Sequence, residues 1–391
     1  MKVFQINSVP YGSTAKIMLG ISKALNQEGI ENIVSSGYSY HPLDLPENYI
    51  KIGSALDKAL HILLSRITGF HGTFSYFSTL NLLRKIKKMG VDTIHLHNLH
   101  GWYINIPLLF KFIKKNNIKV VWTLHDCWAF TGHCPHFDMA GCNKWQTGCK
   151  NCSQYKSYPK TFFDSSKKMF ALKKKWFLGL RDLTIVTPSN WLAEQVKQSF
   201  LKDYPIKVIN NGIDLSVFKP QESNFRKKYS LEDKKIILGV SYDWSEKKGI
   251  DVFVSLAKKL PDEYKIVLVG TNENLNNILS IGVTQNAREL AEIYSVADLF
   301  INPTREDNFP TVNIEALACG TPVLTFRTGG SPEIINEDCG AVVEKDDTKA
   351  LFDEIIRICS DKPYSAKSCI ERAKDFDMND RFKEYIDLYA K

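Results

Sequence analysis

The chain has 391 residues, 44% of them hydrophobic and 24% charged, with 22 Gly and 15 Pro, an ordinary globular composition at a length that suits two domains. Disorder and fibrous repeats are excluded. Its 51 Lys and Arg against 43 Asp and Glu give a net charge of +8, too modest for this length to demand a nucleic-acid partner.

The opening run Met1-Lys2-Val3-Phe4-Gln5-Ile6-Asn7 lacks the longer apolar core and small-residue cleavage site of a secretory signal, and it reads as a first strand. Apolar stretches elsewhere carry Lys, Arg or Asp and fall short of the ~20 residues of a membrane span. A soluble or peripheral protein of the cytoplasm is expected. Nine cysteines, an odd number, argue against a secreted disulfide framework. Cys127, Cys319, Cys339, Cys359 and Cys369 read as small buried hydrophobes.

Short β-rich runs alternate with amphipathic stretches along the whole chain. Strands are predicted at Val3–Asn7, Ile33–Ser36, Thr93–His97, Val120–Leu124 and Thr184–Thr187. After a basic, Pro-punctuated stretch at Asp203–Ile206, a second series follows at Ile236–Val240, Lys265–Val269, Asp298–Asn302 and Val323–Thr325. Between strands, Ile17, Ile21 and Leu25, and then Leu290 and Tyr294, fall at four-residue steps, as the buried face of a helix does. The expected fold is α/β, with two doubly wound Rossmann-like domains facing across a cleft. Ligands in such sheets sit beyond the carboxyl ends of strands. Asn7–Ser13, His97-Asn98, His125-Asp126, Ser189-Asn190, Ser241–Lys248 and Thr304–Glu315 all occupy such junctions.

Glu306 and Asp307 lie at a predicted loop tip, and Glu315 lies in the helix that follows. Carboxylates on a rigid turn and helix can accept hydrogen bonds from vicinal hydroxyls; by spacing alone, a helix-capping cluster of solvated acids is the alternative. Cys134, Cys142, Cys149 and Cys152 are separated by seven, six and two residues. That set fits a structural zinc site, with His133 and His136 as further candidate ligands, or else reduced unconnected thiols or two labile disulfides. Two runs are basic: Arg84–Lys119 has eight Lys or Arg and one acid, and Lys150–Arg181 has nine and one. With Phe70, Phe74, Tyr76, Phe77, Phe162, Phe163, Phe170, Trp176 and Phe177 nearby in sequence, that half could rest on an anionic leaflet.

From Asn302 to Glu333 the chain resembles the donor-site signature of glycosyltransferase family 4, retaining enzymes of the GT-B fold. The pattern is an acid, seven residues, a glutamate, Ala-x-Ala-x-Gly-Thr-Pro-Val and a Gly-Gly-x-Pro-Glu turn. Glu315-Ala316-Leu317-Ala318-Cys319-Gly320-Thr321-Pro322-Val323 and Gly329-Gly330-Ser331-Pro332-Glu333 match it. Asn210–Asp214, Lys248-Gly249 and Glu289–Asp298 are similar to further family landmarks in the expected order. Leu124–Trp128, Thr131–Cys134 and Glu306–Pro310 resemble the branch that builds bacterial surface polysaccharides.

The resemblance implies an acceptor-binding domain over residues 1–206, a nucleotide-sugar-binding domain over 207–375, and a C-terminal helix, 376–391, packed back on the first. It implies that Glu315 grips ribose hydroxyls and that an upstream acid holds the transferred sugar. The seven-residue count lands on Asp307, while the glutamate is Glu306, so both stay open. Asn308, which replaces the usual glycine, and Phe309 would offer backbone amides. Lys248 matches the phosphate-binding lysine; the arginine that usually accompanies it is replaced by Ser241-Tyr242-Asp243-Trp244, and Lys247 is the candidate substitute. His125, with Asp126, is implied to contact the donor sugar near its reacting carbon. Gly12, Ser13, His97 and Asn98 are carried over as acceptor or diphosphate contacts.

The implied reaction is metal-independent, retaining hexosyl or deoxyhexosyl transfer from a nucleoside diphosphate sugar to a glycan acceptor linked to a polyprenyl diphosphate. No catalytic cofactor is expected. A sugar-nucleotide epimerase or hydrolase of the same fold, or a silent nucleotide-sugar or glycan binder, is the alternative.

Overall fold

Short apolar runs that end in Gly, Asn or a hydroxyl residue become the strands of two parallel sheets. The structure, a computed structural model, describes residues 1–38 and 45–390. The chain forms two units, Met1–Ile209 with the segment from Phe382 onward, and Asn210–Arg381.

In the first unit the strands are β1 (Lys2–Asn7), β2 (Glu31–Gly37), β3 (Tyr49–Ile52), β4 (Thr93–Leu96), β5 (Lys119–Thr123), β6 (Leu183–Thr187) and β7 (Ile206–Val208). They pair in parallel in the order β3-β2-β1-β4-β5-β6-β7. In the second they are β8 (Lys235–Val240), β9 (Tyr264–Val269), β10 (Ile278–Ile281), β11 (Leu299–Asn302), β12 (Val323–Phe326) and β13 (Gly340–Val343), in the order β10-β9-β8-β11-β12-β13. Each sheet reverses direction of travel once, between β1 and β4 and between β8 and β11, which marks the place where ligands bind in doubly wound folds.

Helices cover both faces of each sheet, so the inner strands are apolar on both sides. In the second unit alternation sorts them cleanly. Ile236, Leu238, Val267, Val269 and Phe300 join one apolar cluster; Ile237, Ile266, Leu268, Leu299 and Ile301 join the other, as a two-residue side-chain period requires. Of the expected helix faces, Ile17, Ile21 and Leu25 are buried in the helix Gly12–Gln27, and in the helix Ala287–Val296 Tyr294 is buried while Leu290 is only half-buried against the same core. Cys127, Cys319, Cys339, Cys359 and Cys369 are free and buried.

The helix Met378–Ala390 starts in the second unit and continues into the first. Its Phe382, Tyr385 and Tyr389 are buried. Gly20 admits Phe382, since a Cβ there would stand 2.3 Å from the ring. Tyr385 Oη accepts from Thr123, Tyr389 Oη meets His95 Nδ1 at 2.6 Å, and Lys119 Nζ donates to the Tyr389 carbonyl.

Candidate active site

At the β8/β11 switch point of the second unit, two loops meet. After β8, a 3₁₀ turn spans Glu246–Lys248; after β11, the loop from Pro303 leads into the helix Thr311–Ala318. Arg305 N and Thr304 Oγ1 both donate to the Lys247 carbonyl, at 2.8 and 3.2 Å, which fixes the register of one loop on the other. Close approach is possible because Gly249, at φ +77°, has no side chain: a Cβ would lie 2.5 Å from the Pro303 carbonyl oxygen. Arg305 straps the outside, forking onto both oxygens of Asp251 at 2.8 Å and reaching Asp346 at 2.6 Å.

Within that register two adjacent lysines face two adjacent acids. Lys247 Nζ is 2.6 Å from Glu306 Oε2, and Lys248 Nζ is 2.7 Å from Asp307 Oδ2. Their settings differ. The Glu306 side chain is 1% exposed and that of Asp307 is 21% exposed, so one carboxylate is shut in and the other faces outward. Beneath them the Gly329-Gly330 turn packs on the loop: Gly330 N donates to the Asn308 carbonyl at 2.9 Å, and Gly329, at φ +53°, leaves no room for a Cβ against the Asp307 carbonyl oxygen.

Glu315 lies mid-helix and is buried, with Tyr294 Oη donating to its Oε2 at 3.2 Å. Burial, and then the Glu315 carboxylate, push the Tyr294 phenol well above its ordinary pKa, so it stays a donor. The helix Thr311–Ala318 has no side-chain cap at its start, leaving the first-turn amides as a ready anion partner. Phe309 is a core residue, packed edge-on against Phe376 at 5.7 Å, and its carbonyl accepts from Asn211. Asn308 is buried as well.

The β1/β4 switch point of the first unit collects the other candidates. Gly12 and Ser13 open an uncapped helix and are exposed. Nothing lies within 4 Å of a Cβ built on Gly12, so its φ of +80° rather than crowding calls for glycine. Asn7 spans the switch point, donating to Val9 O and Thr14 Oγ1 and accepting from Asn98 N at 3.3 Å. His97 is buried with both ring nitrogens engaged, Nε2 with Gln5 Oε1 at 3.2 Å and Nδ1 with His125 Nε2 at 3.0 Å. It therefore stands behind His125 instead of on a ligand-facing surface. His95, His97 and His125 form a column, with centroids 4.1 Å apart and then 5.3 Å apart. Burial pushes His95 and His97 well below the ordinary histidine range. Burial likewise takes His125 to about 4, against the opposing pull of Asp126, so the column is neutral at pH 7.

Asp126 turns the other way. Burial would raise its pKa, but the charge and hydrogen bond of His100 and the Trp128 amide bring it down to about 2. His100 Nε2 lies 2.7 Å from Asp126 Oδ2, and its Nδ1 lies 2.7 Å from Tyr158 Oη. Tyr158 and Gln5 carried no sequence signal, because each is brought in from a distant segment by the sheet or by the loop after β5.

That loop holds the four cysteines expected as a zinc site, and all four line one pocket with His133. Among the described residues no three His, Cys, Asp or Glu side chains stand together so as to hold a metal ion. The thiols are free. Cys134 and Cys152 hydrogen-bond to each other, which raises the first and lowers the second, while Cys149 Sγ accepts from Gly132 N at 3.1 Å. The loop is stapled by Phe130, Phe137 and Trp145, whose rings lie within 6.5 Å of one another. It is held too by Lys173, fully buried, 3.3 Å above the Trp128 ring and donating to Trp128 O at 2.6 Å and Thr131 O at 3.1 Å.

Two family models match the chain, Glycosyltransferase Family 4 over residues 15–217 and Glycosyl transferases group 1 over residues 221–376. The chain belongs to glycosyltransferase family 4. Its similarity to WcaC of Escherichia coli strain K12, named as a glycosyl transferase of colanic acid biosynthesis, is 25% identity over 368 residues, 90% of this chain and 89% of that one. With the lipopolysaccharide core mannosyltransferase LpsB of Rhizobium meliloti it shares 26% over 258 residues, 58% of this chain and 71% of that one. Among solved structures, sucrose-phosphate synthase from Thermosynechococcus elongatus aligns with a TM-score of 0.74 at 18% identity, covering 100% of this chain and 98% of that one. Anabaena HepE in complex with UDP-glucose aligns at 0.66 and 14%, covering 99% and 100%. The fold is GT-B. In this family 4 chain the arginine expected after β8 gives way to a tight turn, in which Ser241 Oγ donates to the Asp243 carbonyl and Trp244 Nε1 donates to Val269 O at 3.0 Å.

Proposed function

We propose that this glycosyltransferase moves a hexosyl or deoxyhexosyl group from a nucleoside diphosphate sugar to a glycan acceptor carried on a polyprenyl diphosphate, with retention of configuration, in bacterial surface polysaccharide assembly. The observation that carries the reading is the pairing of Lys248 with the outward-facing Asp307 at the β8/β11 switch point, ahead of an uncapped helix that bears buried Glu315. Support for the pathway comes from the names of WcaC and LpsB, and for the donor class from the UDP-glucose bound to HepE.

On this reading Lys248 exchanges Asp307 for the donor diphosphate and stabilises the charge on the leaving oxygen. Asp307, released, accepts from hydroxyls of the transferred sugar, with the backbone amides of Asn308 and Phe309 beside it. Glu315 accepts from the ribose hydroxyls. Gly12, Ser13 and Asn98 serve the acceptor or the diphosphate, and neutral His125, with Asp126 alongside, meets the sugar near its reacting carbon. The bond from the anomeric carbon to phosphate breaks while the bond to the acceptor oxygen forms on the same face, and the phosphate takes the acceptor proton. No side-chain nucleophile and no metal enter the step.

Radiolabelled nucleoside diphosphate sugars, offered with and without a polyprenyl-diphosphate-linked acceptor, test this. Transfer only with acceptor, and its loss in Glu315→Ala and Lys248→Ala with the fold intact, is expected. Turnover without acceptor would make the chain an epimerase or hydrolase. Tight donor binding with no turnover would make it a binder.

A further inference from the structure

Asp126 has both carboxylate oxygens committed within the first unit. Trp128 N donates to Oδ1 at 2.8 Å, and His100 Nε2 lies 2.7 Å from Oδ2. A carboxylate can only accept, so the ring nitrogen facing it carries the proton, and in the neutral imidazole the other nitrogen is then an acceptor. Tyr158 Oη, 2.7 Å from that Nδ1, therefore donates to it. The phenol has placed its one proton on His100, and all that it still offers is lone pairs. Its ring is 43% exposed.

Rigid segments hold this chain of contacts from both sides. Thr161 N and Oγ1 both donate to the Tyr155 carbonyl, at 2.9 and 3.0 Å, which closes the turn that carries Tyr158. The His100 ring packs on Trp128 with centroids 5.6 Å apart. Trp102 stands edge-on to the Tyr158 ring, at 5.3 Å and 82°. Left-handed backbone puts it there: φ is +120° at Gly101 and +60° at Trp102, a strained conformation for so bulky a residue. Its indole N–H is also buried without a hydrogen-bond partner. Two such costs on one side chain point to a ring kept in place for something outside the chain.

We propose that Tyr158 and Trp102, with His100 and Asp126 behind them, form a subsite for one neutral pyranose, the receiving sugar of the acceptor. The exposed aromatic face takes the apolar C–H side of the sugar ring, and the phenol oxygen accepts from one of its hydroxyls. Charge excludes a diphosphate here: an oxygen that offers only lone pairs, backed by a carboxylate, repels an anion and attracts a hydroxyl donor. Asp126 follows His125, which the transfer reading sets near the reacting carbon. The sugar's role as receiver rests on that reading; its binding does not. Tyr158 touches the sugar, and His100 and Asp126 are positioning residues that act through it.

Saturation-transfer NMR on the full chain, with methyl glucopyranoside, methyl galactopyranoside and methyl mannopyranoside and no donor present, reads binding. Ring-proton signals from at least one of them are expected, and their loss in Tyr158→Leu, whose folding circular dichroism checks. In the transfer assay Tyr158→Phe should raise the acceptor KM roughly three- to tenfold, the scale of one hydrogen bond, with kcat and donor KM within about twofold. His100→Ala should raise the acceptor KM similarly, and add nothing in the Tyr158→Phe background; additive losses would overturn its positioning role. The subsite is overturned by absence of any sugar signal in the wild type, or by a signal that folded Tyr158→Leu leaves unchanged. An acceptor KM unmoved by Tyr158→Phe in a chain that transfers overturns it too, and spares the transfer reading. Sugar binding that Tyr158→Leu abolishes, in a chain that transfers nothing, would sink the transfer reading and keep the subsite.

Discussion

Lowering the pH should unfold the first unit while sparing the second, and the histidines set the window. All nine histidines of the chain fall between His41 and His136, and the second unit has none. His61, His71, His95, His97, His125 and His133 are buried or nearly so, and burial is the leading cause that depresses each of them. His125 and His133 fall to about 4, His61 to about 3 and His71 to about 2, while His95 and His97 fall well below the ordinary range. The unfolded chain titrates them near 6.5. Between that value and the folded values the unfolded state binds more protons than the native one, so stability is fully present above 6.5 and falls as pH drops. One unit below, at pH 5.5, each group costs about 1.4 kcal/mol, and six such groups together cost about 8 kcal/mol, comparable with the whole stability of a domain. Asp126, depressed to about 2, adds its own loss only below the ordinary carboxylate range and leaves this window clean.

Urea unfolding at pH 7.5, 6.5 and 5.5 reads the effect. Tryptophan emission reports the first unit almost alone, since Trp102, Trp122, Trp128, Trp145, Trp176 and Trp191 lie in it and Trp244 is the sole tryptophan of the second. The emission midpoint should fall steeply between pH 6.5 and 5.5, while a second transition seen by circular dichroism stays in place. A total loss under about 2 kcal/mol by pH 5.5, less than two of the six groups would give, refutes the argument.

Asp307→Asn should lower kcat roughly 10²-fold, the scale of losing one electrostatic contact at a reacting centre. Glu306→Gln should leave kcat within about tenfold but lower the melting temperature, because its buried carboxylate holds Lys247; equal kcat losses in steady-state assays would contradict that division. Gly329→Ala sets a Cβ against the Asp307 carbonyl at positive φ, and should cost about 2–4 kcal/mol along with donor affinity, read by calorimetric titration of nucleoside diphosphates. Lys173→Met leaves the Trp128 and Thr131 carbonyls without their donor, a loss of about 2–4 kcal/mol expected in urea unfolding; a rise in stability would mean that burying the ammonium costs more than its bonds return.

The inner strands of both sheets were legible because burial on two faces makes them continuous apolar runs. The strands that escaped, β3, β7, β10 and β13, are the four sheet edges. Each is three or four residues long and partly exposed, and β7 falls at Ile206, where a stretch around Pro205 had read as an interdomain passage. An edge strand is paired on one side only and needs little apolar signal of its own. Similarly, the positions of His125, Asp126, Lys248 and Glu315 could be read from strand ends and motif spacing. The groups around them could not: Tyr294 reaches Glu315, and Gln5, Tyr158 and Tyr389 reach the neighbouring His97, His100 and His95, through pairings that only the tertiary fold creates. The outward leucines of the helix Ala55–Thr68, Leu56, Leu60, Leu63 and Leu64, were hidden for another reason. Apolar periodicity identifies a helix face but does not say whether that face points in or out, and here the inward side is taken by His61 and Ser65.

The doubled acid, Glu306-Asp307, looked in the sequence like a choice between two candidates for one position. The register makes it a matched set. Arg305 N on the Lys247 carbonyl aligns two consecutive lysines with two consecutive acids, so each acid has its own lysine. A diphosphate arriving at this switch point would have to displace a carboxylate from a lysine. Breaking the Lys247 pair would take the lysine from a buried carboxylate that water does not reach, whereas Asp307 faces outward and can be resolvated or re-bonded by sugar hydroxyls. On the proposed donor site the cost of opening would therefore fall on Lys248 and Asp307, with Glu306 and Lys247 keeping the two loops in place.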